Sequence, residues 1–173
     1  MSYTEIISNF SLDEILEDLG YILLKKGTRE KKINVGTLRG SSAPNFDCVG
    51  ERDGFIVNLE LINPSKRSLG GHAAGSQNEK MGRVDKFYQL CADCKAKKGL
   101  LVFIEFKSKN DYPKAVEACP RRLSEVKKFK TALPGGDSIF ELIDAEIIPI
   151  LYEEKKWGLK KKVSSTLAKH SFP

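Results

Sequence analysis

Residues 44–63, Pro-Asn-Phe-Asp-Cys-Val-Gly-Glu-Arg-Asp-Gly-Phe-Ile-Val-Asn-Leu-Glu-Leu-Ile-Asn, constrain the fold more than any other stretch of the chain. Two runs of β-forming residues flank the polar turn Glu51-Arg52-Asp53-Gly54, and Asp-Gly between such runs is a strong hairpin signal. If the turn centres on Arg52-Asp53, then Asp47 faces Asn58 and Asn45 faces Glu60. Side chains alternate across a strand. One face therefore carries Phe46, Cys48, Phe55, Val57, Leu59 and Leu61, and is apolar. The other carries Asn45, Asp47, Asn58 and Glu60 among Val49, Ile56 and Ile62. Two carboxylates thus share a face with aliphatic neighbours, and carboxylates desolvated side by side need a cation or a shared proton.

The 173 residues suffice for one domain with its own core. A composition of 40% hydrophobic and 30% charged residues is that of a globular protein. No apolar run approaches the roughly 20 residues of a membrane-spanning helix, and the N-terminus lacks a signal-peptide pattern. The expected location is the cytoplasm, or a nucleus where the host has one, with no membrane partner. The net charge of +6 favours a polyanionic partner such as nucleic acid. Its excess is concentrated: Lys155, Lys156, Lys160, Lys161, Lys162 and Lys169 follow one another without an acid between them. Arg121-Arg122 with Lys127-Lys128-Phe129-Lys130 forms a second cluster. The division expected is an α/β domain over 1–154 and a basic C-terminal tail over 155–173.

Along the chain, Leu12, Ile15, Leu16 and Leu19 follow helical spacing behind Ser11, which with Glu14 reads as a capping box. Gly20 stops that helix and Tyr21–Leu24 reads as a first strand or the helix end. Ile33–Leu38 alternates like a further strand. After the hairpin, residues 63–76 form a basic, glycine-rich loop containing Lys66, Arg67 and His72, longer than compact domains usually hold. Ser76 opens a helix to about Lys98 with Met81, Val84, Phe87, Tyr88 and Cys91 inward, ended by Gly99. Leu100–Phe106 is apolar on both faces, as a central strand is. Lys114–Cys119 and Arg121–Lys130 read as two helical stretches separated by Pro120. Ile147–Tyr152 reads as an edge strand, since Pro149 cannot donate to a ladder. The result is a small mixed sheet with helices on both sides.

A helix, strands bearing Asp and then Glu, a helix and a buried strand together resemble the PD-(D/E)XK nuclease superfamily, whose members include restriction endonucleases and junction resolvases. Pro44-Asn45-Phe46-Asp47 and Leu59-Glu60-Leu61 carry the resemblance, over about residues 10–106. It implies an α/β fold with a restriction-endonuclease-like core, a mixed central β-sheet flanked by helices. It also implies that Asp47 and Glu60 bind Mg²⁺ (or Mn²⁺) through hard oxygen ligands. The family places a lysine two residues after the second acid, where this chain has Ile62. The positive charge needed near the developing oxyanion must come from elsewhere. Lys80 is the first choice for that catalytic role, with Lys66 or Lys86 as substitutes, and Glu14 or Glu17 could add an outer carboxylate. The resemblance further implies DNA as the preferred nucleic acid and a homodimer for cutting both strands.

Other chemistries find less support. Cys91-x-x-Cys94 has no second ligand pair at zinc spacing. The glycines at 70, 71 and 75 are not followed by the Gly-Lys-Ser/Thr of a phosphate-binding loop. No Ser/His/Asp order appears, and His170 lies in the lysine-rich end. The leading reading is an Mg²⁺-dependent endonuclease with Asp47, Glu60 and Lys80 at its centre. Lys66, Arg67, His72, Lys160, Lys161 and Lys162 would hold phosphates. The alternatives are a nucleic-acid-binding or assembly module on the same scaffold, and an RNA endonuclease.

Overall fold

Alternation in the hairpin and continuous hydrophobicity in residues 100–106 become adjacent strands of one mixed five-stranded sheet, ordered β1-β2-β3-β4-β5. The computed structural model describes residues 10–24, 48–62, 84, 87–127 and 142–173. The strands are β1 (Ile22–Leu23), β2 (Cys48–Arg52), β3 (Phe55–Ile62), β4 (Lys98–Lys107) and β5 (Ile143–Leu151). The first three run antiparallel to one another, while β3, β4 and β5 are parallel. Among the described residues the α-helices are α1 (Leu12–Asp18), α2 (described at 84 and 87–93), α3 (Tyr112–Lys127) and α4 (Lys155–Lys169).

Among the described residues the expected sharing of faces holds, with Asn45, Phe46 and Asp47 outside them, but the hairpin register does not. Val49 lies opposite Asn58 and Arg52 opposite Phe55, so the loop is Asp53-Gly54 and not Arg52-Asp53. The backbone explains the shift: Asp53 and Gly54 have φ of 52° and 87°, the two positive values that a two-residue type I′ turn requires and that Asp-Gly supplies. The Glu51 carboxylate accepts the Gly54 N–H at 2.9 Å and holds the turn closed.

Each face of the sheet buries its own core. Under α1 and α4 lie Val57, Leu59, Leu61, Leu100, Val102, Ile104 and Phe106, with Leu12, Ile15, Leu159, Val163, Leu167 and Phe172 packed on them. Under α2 and α3 lie Val49, Ile56, Leu101, Phe103, Ala145 and Ile147, met by Val84, Phe87, Leu90, Cys91 and Val126. The inward stripe expected for α2 is present at Val84, Phe87, Tyr88 and Cys91; Met81 lies outside the described residues, as does the strand expected over 33–38. The helix itself ends at residue 93, earlier than expected, and Gly99 belongs to β4. Gly99 is needed for close approach: a Cβ there would stand 2.8 Å from Cys91 Sγ and 3.2 Å from Phe87 Cζ.

Three more expectations change. Pro120 does not divide two helices but lies inside α3; it removes one N–H from the ladder, and the residue that N–H would bond back to, Val116, is 46% exposed. Ser11 stands at the N-cap of α1 without a side-chain cap bond, at φ 46°, and Glu14 pairs with Lys156 instead of closing a capping box. Most consequentially, residues 155–169 are a helix docked on the sheet through Leu159, Val163 and Leu167, not a tail. Their spacing of four places these side chains on one stripe, which the surrounding lysines conceal in composition. The edge position of β5 and Pro149 is as expected.

Candidate functional site

The sheet face beneath α2 and α3 is apolar except near the carboxyl ends of the parallel strands. There Asn58, Glu60 and Glu105 are 0%, 3% and 4% exposed. In register, Asn58 pairs with Leu101, Glu60 with Phe103 and Ile62 with Glu105. Glu60 and Glu105 therefore stand on neighbouring strands and on one face, displaced by two residues. That displacement corresponds to about 8 Å between their Cα atoms, given ordinary strand spacing and rise. The carboxyl end of parallel strands is where open α/β sheets meet their ligands.

Asn58 and Glu60 are joined, the Asn58 Nδ2 donating to Glu60 Oε1 at 3.3 Å. The Asn58 Oδ1 is buried and takes no hydrogen bond, a condition that costs about 1–3 kcal/mol in a folded protein. A carboxylate and an orphan amide oxygen are both hard donors, so the residues present fit a Mg²⁺-type ion. Asp47, Lys80, Lys66, Arg67 and His72 lie outside the described residues. Among the described residues no group of three or more His, Cys, Asp or Glu is placed to hold a metal.

Glu105 is a site residue that the two-acid pattern does not include. Arg122 of α3 grips it with two parallel bonds, Nη1 to Oε1 at 2.8 Å and Nη2 to Oε2 at 2.7 Å, and Lys107 Nζ approaches Oε1 at 3.7 Å. By composition Arg122 belongs to a surface basic cluster, yet it is 6% exposed. The available signal is Glu105 itself: a charge inside Leu-Leu-Val-Phe-Ile-Glu-Phe must find a buried partner. Beside the pair opens a cleft of about 320 Å³ lined by Glu105, Lys107, Asp111, Lys114 and Arg122, with Ala115 and Ala118 leaving the space.

The lysines expected to hold phosphates sit on α4, across the sheet from Glu60. Lys160 pairs with Asp18 at 3.2 Å. Lys162 donates to Glu154, the Tyr112 hydroxyl and the Pro149 carbonyl. Only Lys161 of the three is exposed without a partner among the described residues. Two of these lysines are thus already engaged by partners within the fold. Glu14, offered as an outer carboxylate, lies on the α1–α4 side with Lys156 and does not join Glu60.

No protein-family model, no curated protein and no solved structure matches this chain.

Two other polar clusters are structural. Burial, with Cys94 beside it, pushes the Cys91 thiol well above its usual range. Burial, then Asp93 and Glu51, pushes Cys94 up to about 11. Both are therefore thiols at neutral pH and not activated nucleophiles. His170, expected in a tail, is fixed between two acids: its Nε2 lies 2.7 Å from Glu146 Oε2 and its Nδ1 3.4 Å from Asp144. Burial works to raise the Glu146 pKa, but hydrogen bonds from His170 and Lys169 prevail and hold it below its ordinary 4.5. A depressed carboxylate stabilises the fold in full above its unfolded pKa, and the contribution fades as pH falls through the folded value. Glu146→Gln is therefore expected to destabilise the protein near pH 6 and to match wild type once the pH is well below 4.5. Urea midpoints measured across that range test this; a difference that stays constant with pH would contradict it.

Proposed function

We propose that this chain is a Mg²⁺- or Mn²⁺-dependent endonuclease acting on DNA, with a restriction-endonuclease-like core. The observation that carries the reading is Glu60, a carboxylate kept 3% exposed on an apolar sheet face beside the orphan oxygen of Asn58. The order of elements supports it: a helix, three antiparallel strands, a helix, and a fourth strand parallel to the third. Asp47 precedes the first described pair of the hairpin, Cys48 with Leu59.

In this reading Asp47 and Glu60 hold the ion, and Asn58 orients the Glu60 carboxylate and offers its free oxygen. When bound, the ion supplies Lewis-acid polarisation of a phosphoryl oxygen. Glu60 is only 3% exposed, and exclusion of bulk water strengthens a carboxylate's hold on a cation. Lys80, or Lys66, provides positive charge toward the developing oxyanion. One active site per chain makes a homodimer the form that cuts both strands of a duplex.

The test is cleavage of plasmid and of single-stranded DNA and RNA with Mg²⁺ or Mn²⁺. Glu60→Gln, which preserves shape and the Asn58 hydrogen bond, is expected to reduce cleavage to background while nucleic-acid affinity persists. Cleavage by Glu60→Gln at the wild-type rate would refute the reading. Ile62 at the family's lysine position favours a second reading, a binding or assembly module that does not cut. That module would bind nucleic acid in a salt-sensitive manner, with no cleavage under any metal condition.

A further inference from the structure

The cleft between β4 and α3 is not used by the Glu60 site, and its lining is chemically specific. We infer that it is a phosphate-binding subsite formed by Lys107, Lys114 and Arg122, and that it takes a backbone phosphate of the nucleic acid. The nucleic-acid half of this inference rests on the reading above; the phosphate half does not.

Three cations line the cleft against two carboxylates, and both carboxylates are already engaged. Glu105 gives both oxygens to Arg122, and Asp111 Oδ2 accepts the Ser108 hydroxyl at 3.2 Å. The cations are less fully committed. Arg122 is almost wholly buried, yet its Nε–H has no acceptor. Lys107 reaches Glu105 only at 3.7 Å. Lys114 is exposed, with no partner among the described residues. An anion entering the cleft would meet the ammonium groups of Lys107 and Lys114 without displacing the Glu105–Arg122 pair. The small side chains of Ala115 and Ala118 leave about 320 Å³ free, ample for a phosphodiester group.

Position argues for the source. Glu105 lies one strand over and two residues further along than Glu60, so the cleft borders the proposed metal site at the carboxyl end of the sheet. A strand of nucleic acid crossing Glu60 would meet these lysines next. Phosphate contacts of this kind fix register without reading sequence.

The experiment uses the full chain without divalent metal. Binding of a labelled DNA duplex is followed by fluorescence anisotropy over a salt series, and inorganic phosphate is titrated separately with amide shifts observed by NMR. Each phosphate that a removed lysine no longer neutralises should flatten the slope of log affinity against log salt by about 0.9. The variant Lys107→Gln/Lys114→Gln is thus expected to reduce the slope by about 0.9 and the affinity at least tenfold. Lys95→Gln, an exposed lysine before the amino end of β4, should change neither. Thermal melts verify that the variants fold. This result would stand even if the wild type cut nothing, a failure that would count only against the nuclease reading. Duplex binding with an unchanged slope in the double variant would overturn the subsite. If no duplex bound but inorganic phosphate shifted the cleft amides, the nucleic-acid source would be overturned and a small phosphate ligand put in its place. Absence of both would overturn the inference entirely.

Discussion

Arg122→Ala is expected to lower the stability of the fold by about 3–5 kcal/mol, the usual consequence of removing one partner from a buried ion pair. The reason lies in Glu105. With Arg122 gone, a carboxylate that is 4% exposed on an apolar sheet face is left facing Lys107 alone, at 3.7 Å. The pair itself need not be a net source of stability, because two charges taken out of water lose hydration that their attraction only partly offsets. That separates two contributions experimentally. Glu105→Leu/Arg122→Leu, which removes both charges, should recover most of the loss, whereas Glu105→Gln alone should not. Urea unfolding of the four proteins measures it. A single Arg122→Ala loss below about 1 kcal/mol would mean that water reaches Glu105 freely.

Removal of residues 155–173 is expected to abolish folding. The lysine-rich composition of that segment suggests a tail, but it buries Leu159, Val163, Leu167 and Phe172 against the sheet. At about 1.5–3 kcal/mol for each buried side chain, the four together contribute on the order of 6–12 kcal/mol, comparable with the whole stability of a small domain. The ion pairs that α4 makes with α1, Lys156 with Glu14 and Lys160 with Asp18, are surface contacts and add little. Circular dichroism and amide dispersion of the truncated chain decide the matter. A cooperative melt in the truncated protein would show that the α1 face can close without α4. Leu159→Ala in the intact chain should cost about 2–5 kcal/mol and gives a milder form of the same test.

Much of the scaffold is legible in the sequence because the physical signals are local. Alternation separates Val57 and Leu59 from Asn58 and Glu60, and unbroken hydrophobicity marks β4. Pro149 names an edge. The rest depends on information that local patterns do not carry. Arg52-Asp53 and Asp53-Gly54 are both plausible turns in composition, and only the positive φ at both of the latter decides the register. A proline in a helix interior usually breaks it, yet the packing of Ala115, Arg122 and Val126 on one side carries α3 through Pro120. The lysines of 155–169 hide an apolar stripe of only three residues. At the site, Glu60 is visible from its strand, but Arg122 can be assigned only once Glu105 and α3 are known to face one another.

The pairing of the chain's two distant segments has a further consequence, for the order in which the protein can acquire its structure. One face of the sheet is covered by residues 12–18 and 155–169 together, and the Tyr21 hydroxyl donates to the Pro173 carbonyl across 152 positions of sequence. The β2–β3 hairpin and α1 emerge early in synthesis, but the apolar surface they share with β4 has no complete cover until the residues up to Phe172 have been made. Contacts of such long separation form slowly, since loop closure precedes any gain from them. Until β4 is made β3 has an open edge, and until α4 is made Val57, Leu59 and Leu61 have only the partial cover of α1. A nascent chain of this protein is therefore in most need of chaperone protection in the interval between translation of β3 and of α4.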